Sequence, residues 1–156
     1  MSYIIQFVNQ GTPVNFCLGA TSTAANAPVT LSLLQGAGGP TTQWNLDPTS
    51  GLIMLASTAT QPIPLYLTIP GTGIVQGAQL IIAPFVIGSL LQSWNWLGSA
   101  QRITSNAPPS TYCVDNNACT LSAGNKVQIW PNTGACQQWQ FISVPALQKA
   151  LAVDAT

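Results

Sequence analysis

The triplet Gln92-Ser93-Trp94 recurs as Gln137-Gln138-Trp139 and, with threonine replacing the first glutamine, as Thr42-Gln43-Trp44. Each triplet closes a strand-like stretch of sequence. The tryptophans at 44, 94 and 139 lie 50 and 45 residues apart, a period typical of three copies of one supersecondary unit. We therefore interpret the 156 residues as a single domain, 1–156, with units at approximately 1–50, 51–100 and 101–146.

Short runs rich in apolar and β-branched residues fill each unit, and Gly, Pro, Thr, Ser and Asn interrupt them every few residues. Four runs in each unit predict twelve strands. An average spacing of about 13 residues per strand and turn favours an all-β sandwich or barrel. Only the tail, 144–156, has a helical composition, and it is expected to form a short turn or a mobile end.

The tryptophans that end the triplets are predicted to be core residues. The first and last strands of each unit should converge on a common core, where each indole would bury about 150 to 250 Å². Because buried polar atoms need partners, the glutamine that opens the second and third triplets is expected to bind backbone groups of the loop that it closes.

Charge is scarce: three Lys and Arg face three Asp, with no Glu and no His. Three scattered cations cannot form the basic stripe that a phosphate backbone requires, so nucleic acid is not expected as a partner. Without His there is no Ser-His or Cys-His dyad and no common His-based zinc site. The composition therefore favours a binding protein over an enzyme, with no metal and no cofactor.

The apolar stretch Gly73 to Leu91 tests for a membrane span. Gln76, Pro84 and Gly88 divide it into strand-length pieces, whereas a spanning helix needs about 20 largely apolar residues. A membrane-spanning segment is therefore not predicted. Residues 1–16 lack a basic start and a long apolar region, so no signal peptide is predicted and the expected location is cytoplasmic or reached by leaderless release.

Four cysteines, at 17, 113, 119 and 136, allow three full pairings. Three of them lie between 113 and 136, which makes one bridge among these three plausible while Cys17 stays a buried thiol. Four reduced thiols in an intracellular protein is the other expectation.

The third unit combines an acid, amides and a second tryptophan. Gln128 and Trp130 share one face of a strand by period-2 alternation, Asp115 lies on the preceding strand, and Gln137 opens the closing triplet. An indole can stack on the apolar C–H face of a pyranose, while carboxylate and amide groups bind its hydroxyls. These residues predict a sugar site, with a core role for Trp130 and a solvated turn carboxylate for Asp115 as the structural alternatives.

Three segments of this unit, Cys113-Val114-Asp115, Val127-Gln128-Ile129-Trp130-Pro131 and Gln137-Gln138-Trp139-Gln140-Phe141, resemble one repeat of the ricin B-type lectins, the Gln-x-Trp β-trefoil family. The earlier units are similar in period, tryptophan and strand pattern only. The resemblance implies an all-β β-trefoil of twelve strands in three pseudo-symmetric units. It also implies a non-enzymatic lectin for galactose or N-acetylgalactosamine-type glycans on glycoproteins or glycolipids.

By position, the resemblance implies a role for each residue of the site. Asp115 would accept hydrogen bonds from ring hydroxyls, Trp130 would be the stacking platform, and Gln128 and Gln137 would support the site.

Two positions depart from the family pattern. Members often have Cys where Asn132 stands and Asn where Cys136 stands, so the disulfide pattern stays open and one hydroxyl contact is lost. Asn132 is the candidate to replace that contact, which adds it to the predicted carbohydrate-binding residues.

The other two units are poorer candidates. In the first, Gly19 occupies the place of the acid, and Ser32 or Leu34 that of the aromatic residue. In the second, Leu65–Thr68 has no acid, although Phe85 precedes the closing tryptophan by nine residues, the spacing found in the third unit. The first unit is therefore predicted to be a scaffold and the second a weak site.

Two other functions compete with sugar binding. β-trefoil protease inhibitors act through exposed loops, and the Asn-Ala-Pro-Pro-Ser segment at 106–110 is the best candidate for such a protein-binding loop. A glycosidase is opposed by the small number of acids. Low charge, together with a broad apolar surface, would favour a homodimer.

Overall fold

A computed structural model describes residues 1–36, 38–98 and 101–154. These residues form twelve strands and, after them, one α-helix, which confirms the predicted strand count. In the first unit the strands are β1 (Ser2–Asn9), β2 (Thr12–Ala20), β3 (Val29–Leu33) and β4 (Trp44–Asp47). In the second they are β5 (Leu52–Leu55), β6 (Leu65–Thr68), β7 (Ile81–Pro84) and β8 (Trp94–Asn95). In the third they are β9 (Thr104–Ser105), β10 (Tyr112–Asn116), β11 (Val127–Pro131) and β12 (Gln138–Ser143).

The C-terminal tail is helical rather than a short turn. Helix α1 (Val144–Asp154) follows β12 directly and has 11 residues. Leu147 packs against a small cluster that contains the buried Ile4 and Cys17. An apolar contact with the sheet therefore accompanies the helix, because a helix this short is marginal without tertiary packing.

All strand pairs are antiparallel and form two connected sheets. One has the order β3-β2-β1-β4-β5-β6-β7, with β12 also paired to β1, and the other has the order β11-β10-β9-β8. Backbone hydrogen bonds also join the two sheets. The N–H of Trp94 donates to the carbonyl of Gly51, and the N–H of Trp139 donates to the carbonyl of Gln101, each at 2.8 Å. The β1–β12 pairing brings the two ends of the chain together, and such closure leaves few free strand edges.

The three tryptophans occupy equivalent places in the core, as predicted. Trp44, Trp94 and Trp139 are 0%, 2% and 0% exposed. Each indole N–H donates to a backbone carbonyl of its own unit. The acceptors are Leu18 at 3.1 Å, Leu67 at 3.0 Å and Val114 at 3.1 Å. These bonds identify which residues of the three units correspond to one another.

The apolar stretch from 73 to 91 is divided among two loops, strand β7 and the start of a 3-10 helix at Leu90–Gln92. Leu80 and Ile82 are fully buried in the main core, whereas Ile87 is 90% exposed. In the described ranges, no helix has both the length and the apolar character needed to cross a membrane.

Gly51 provides a test of the joint between the sheets. Its φ of +77° is left-handed, and a Cβ there would lie 2.7 Å from the carbonyl oxygen of Trp94. We expect Gly51→Ala to lower the free energy of unfolding by about 2 to 5 kcal/mol, through backbone strain and overpacking together. Gly71→Ala is the matched control, because Gly71 has a φ of +88° but no atom within 4 Å of the added Cβ. Denaturant unfolding measures both losses, and equal losses would contradict the steric argument.

Candidate functional site

The hairpin of β10 and β11 carries the predicted site. Asp115 lies directly opposite Gln128 in the strand register, and Cys113 lies opposite Trp130. Opposed residues of an antiparallel pair share one face of the sheet. The alternate residues Val127 and Ile129 belong to the buried core, whereas Gln128 and Trp130 do not, which confirms the predicted alternation.

The Asp115 carboxylate is held by two neutral amides. Gln128 Nε2 donates to Oδ1 at 2.9 Å and Gln137 Nε2 donates to Oδ2 at 3.2 Å. Asp115 is only 4% exposed, so it is not the solvated turn carboxylate of the structural alternative. Burial raises its pKa, and the hydrogen bonds from Gln128 and Gln137 oppose that rise. Each carboxylate oxygen can accept more than one hydrogen bond, so these two amides do not use the full acceptor capacity of the group.

Gln137 connects this carboxylate to the loop that follows β11. Its Nε2 also donates to the carbonyl of Pro131 at 2.7 Å, and its Oε1 accepts from the N–H groups of Thr133 at 3.1 Å and Gly134 at 3.3 Å. The prediction that this glutamine satisfies the loop's backbone groups is therefore confirmed. One fully buried amide fixes both the acid and the loop.

Trp130 is half-buried and lies outside the buried core. A loop of the second unit covers part of the indole. Gly77 has a φ of +84°, and a Cβ there would lie 3.5 Å from Cζ3 of Trp130. Its N–H also donates to the carbonyl of Ile129 at 2.8 Å. Sequence reasoning missed Gly77, because its contact joins two units that are far apart in the chain.

Asn132 stands at the exposed rim of the site, two residues after Trp130. Its backbone N–H donates to the carbonyl of Thr111 at 2.8 Å, which fixes the start of the loop. The structure thus brings Asp115, Gln128 and Gln137 into direct contact, whereas the Asn132 side chain is exposed.

One disulfide joins Cys119, which follows β10, to Cys136, which directly precedes Gln137. Cys17 and Cys113 are buried free thiols. The bridge lies among the three clustered cysteines and leaves Cys17 reduced, which is the first of the two sequence expectations. The carbonyl of Cys136 accepts the N–H of Asn116 at 2.9 Å, so the bridged residue also pairs with the end of β10.

The second unit does not place Phe85 where the third unit places Trp130, and that prediction is wrong. Tyr66 is opposite Ala83 in the β6–β7 register, which makes Ala83 the equivalent of Trp130. The reason is loop length: Gln92 binds the carbonyl of Pro84, eight residues earlier, whereas Gln137 binds a carbonyl six residues earlier. Phe85 instead packs on Tyr66, with ring centroids 5.9 Å apart.

The first unit has no room for an acid. Gly19 is opposite Thr30 in the β2–β3 register, and Cys17 is opposite Ser32. A Cβ on Gly19 would collide with Oγ of Ser32. Packing therefore agrees with the prediction that this unit is a scaffold.

The candidate protein-binding loop at 106–110 is a compact turn. The N–H of Ser110 donates to the carbonyl of Ala107 at 2.8 Å, and Asn106 Nδ2 donates to Ser93 Oγ at 2.8 Å. Ala107 is buried, whereas Pro108 and Pro109 are exposed. The protein-binding alternative rests on these two prolines and stays a prediction.

Comparison with known structures identifies the architecture. A designed threefold symmetric protein, ThreeFoil, superposes with a TM-score of 0.70 at 21% identity, over 92% of this chain and 99% of that chain. The β-trefoil lectin of the Vibrio vulnificus hemolysin/cytolysin, with N-acetyl-D-lactosamine bound, superposes with a TM-score of 0.64 at 18% identity, over 90% of this chain and 92% of that chain. The ricin B-like lectin of Macrolepiota procera, in complex with lactose, superposes with a TM-score of 0.60 at 21% identity, over 90% of this chain and 94% of that chain. These likenesses show that the chain has the β-trefoil fold.

No protein-family model matches the chain, and no curated protein matches its sequence.

Gln137→Met tests the network around the carboxylate. We expect it to lower the free energy of unfolding by about 2 to 4 kcal/mol, because several buried groups lose their partner. The Asp115 pKa should rise further, because a hydrogen bond that stabilises the charged form is lost. Gln92→Met is the matched control, since Gln92 bonds to the carbonyl of Pro84 and to the N–H of Val86 in the same way but far from Asp115. NMR titration of the carboxyl carbon measures the pKa, and an unchanged value in Gln137→Met would contradict the assigned network.

Proposed function

We propose that this protein is a non-catalytic carbohydrate-binding lectin of the ricin B type, with its working site in the third unit. The observation that carries the proposal is a buried carboxylate, fixed by two amides, beside a half-buried indole on the outward face of one hairpin. The residues proposed to bind the sugar are Asp115, Gln128, Trp130, Asn132 and Gln137. Solved β-trefoils that resemble the chain include lectins with N-acetyl-D-lactosamine and with lactose bound, which supports a galactose-type ligand.

The chemistry of the site suits one face of a pyranose. Stacking of the C–H face on Trp130 would bury apolar surface, and Asp115 would accept hydrogen bonds from ring hydroxyls, which are stronger when the acceptor is charged. The amides of Gln128 and Gln137 hold the carboxylate still, so little ordering would be needed on binding. Asn132 at the rim would supply a further donor and acceptor.

A catalytic role is disfavoured by the placement of the acids. Glycoside hydrolysis needs two carboxyl groups on either side of the scissile bond. Asp47 lies in the first unit, where its carboxylate is exposed and accepts the hydroxyl of Ser50 at 2.8 Å and the N–H of Thr49 at 3.0 Å. That acid belongs to its own turn, so we propose binding without turnover.

Weak single-site binding would be compensated by multivalency. We expect an open monosaccharide site to bind with a free energy of about −4 kcal/mol, which corresponds to a dissociation constant of about 1 mM. A homodimer would present two sites to glycans on glycoproteins or glycolipids and raise the avidity. The second unit offers an apolar surface for such a dimer, because Phe85, Val86, Ile87 and Leu90 are all exposed.

Retention on galactose-presenting beads tests the function. We expect Asp115→Asn to bind at least about tenfold more weakly, because a charged acceptor is lost and one amide then faces another donor. Asp47→Asn removes the same charge outside the site and should be retained like the wild type. Circular dichroism verifies the fold of both variants. Absence of retention for the wild-type protein, or full retention of Asp115→Asn, would contradict the proposal.

The pH dependence of sugar binding provides a second test. As the pH falls through the raised pKa of Asp115, the carboxylate gains a proton and loses its capacity as an acceptor. The affinity for lactose should therefore fall at a higher pH than an ordinary aspartate would give. Calorimetric titration between about pH 7 and pH 4 measures this loss. A constant affinity over that range would show that the carboxylate does not bind the sugar.

The effect of Asp115 on folding has the opposite sign. Its pKa is raised in the folded state, so its contribution to the free energy of unfolding is fully present below the unfolded-state pKa and is lost as the pH rises through the folded-state pKa. Acid should therefore weaken lactose binding without this group destabilising the fold. Unfolding measured at each pH separates the two effects.

A further inference from the structure

A row of side chains crosses the β8–β11 sheet on the face that carries Trp130, and it passes through the buried Cys113. Trp130 is opposite Cys113 in the register, Cys113 is opposite Thr104, and Thr104 is opposite Asn95. Since opposed residues of antiparallel strands share a face, these four side chains form one row across the sheet. The row leads from the proposed stacking platform into the region between β8 and β9.

A hollow of about 150 Å³ opens at the far end of this row. We call it the Arg102 hollow; it is lined by Asn95, Gly98, Arg102, Thr104 and Asn132. Asn132 also stands at the rim of the proposed sugar site, so the hollow adjoins that site. Its volume equals the share of about five water molecules, which is room for a carboxylate or sulfate group.

The side chain of Arg102 is the unusual feature of this hollow. In the part of the chain that the structure describes, its Nε is the one buried side-chain nitrogen or oxygen without a hydrogen-bond partner. Gly134 lies directly against the guanidinium, because a Cβ at that position would be 3.0 Å from a terminal nitrogen. The loop that Gln137 binds therefore also contacts Arg102.

A half-buried guanidinium whose buried Nε has no hydrogen-bond partner carries an energetic cost. Partial removal of a charge from water is unfavourable unless hydrogen bonds or an opposite charge compensate. The guanidinium is close enough to Cys113 to lower the pKa of that thiol, although burial raises it more strongly. An anion at the terminal nitrogens of Arg102 would offset this cost through its opposite charge.

We propose that the Arg102 hollow binds the anionic group of an acidic glycan, while the neutral part of the same glycan occupies the site of Asp115 and Trp130. This inference rests on the proposed function and names the class of glycan that the site prefers. The guanidinium can bind a carboxylate or a sulfate through two parallel hydrogen bonds. The amides of Asn95 and Asn132 and the hydroxyl of Thr104 provide further donors around it.

The test compares lactose with lactose that carries sulfate or sialic acid on the galactose at O3 or O6, by calorimetry at low salt. We expect wild-type protein to bind at least one acidic form about tenfold more tightly than lactose, because a charge-assisted pair is added. The ratio of the affinity for the acidic form to the affinity for lactose should fall as the salt concentration is raised. Preference for sulfated forms alone identifies sulfate as the anion, and preference for sialylated forms alone identifies a carboxylate.

Variants assign the preference to one side chain. Arg102→Gln should remove it and leave lactose affinity unchanged. Lys149→Gln, on the exposed face of α1, removes the same charge elsewhere and should keep the preference. An acid preference that survives in Arg102→Gln would overturn the inference.

The wild-type measurement stands without any variant. Equal affinity for neutral and acidic forms at low salt would overturn the inference and leave the proposed function intact. Failure of lactose and of every acidic form to bind would overturn the proposed function together with it.

Discussion

Each unit depends on one hydrogen bond, from the indole N–H of a buried tryptophan to a backbone carbonyl of the same unit. The indole brings a large apolar surface into the core, but its N–H must find an acceptor there. In the third unit the acceptor is Val114, so the next residue, Asp115, points away from the core. The bond that fixes the core therefore also fixes the direction of the proposed sugar-binding carboxylate.

The same framework gives a different surface in each unit. The position of Asp115 is taken by Thr68 in the second unit and by Gly19 in the first, as the indole bonds and strand registers show. Gln92 donates to the hydroxyl of Thr68 at 3.1 Å, just as Gln137 donates to Asp115. The supporting amide is thus present in two units, but only one of them gives it a charged partner. The core bond fixes the direction of the outward side chain but does not constrain which residue type stands there, so the three units can share a fold and differ in surface chemistry.

Charge is used sparingly around the proposed site. Neutral amides hold Asp115 without cancelling its charge, so the carboxylate keeps its strength as an acceptor. The buried Nε of Arg102 donates no hydrogen bond, and the Arg102 hollow is lined by amides and a hydroxyl rather than acids. In a chain with only three cations and three acidic residues, we propose that these two charges serve a ligand instead of neutralising each other.

The sequence by itself determined the threefold period, the twelve strands, the buried tryptophans and the alternation that turns Gln128 and Trp130 outward, because these follow from local backbone geometry and burial. Tertiary structure decided which residues of different units meet. It put Gly77 against Trp130 and Arg102 against Gly134, and a longer loop in the second unit made Ala83, not Phe85, the equivalent of Trp130. Such contacts depend on loop lengths and on the packing of one hairpin against the next, and no periodic pattern within a unit encodes them.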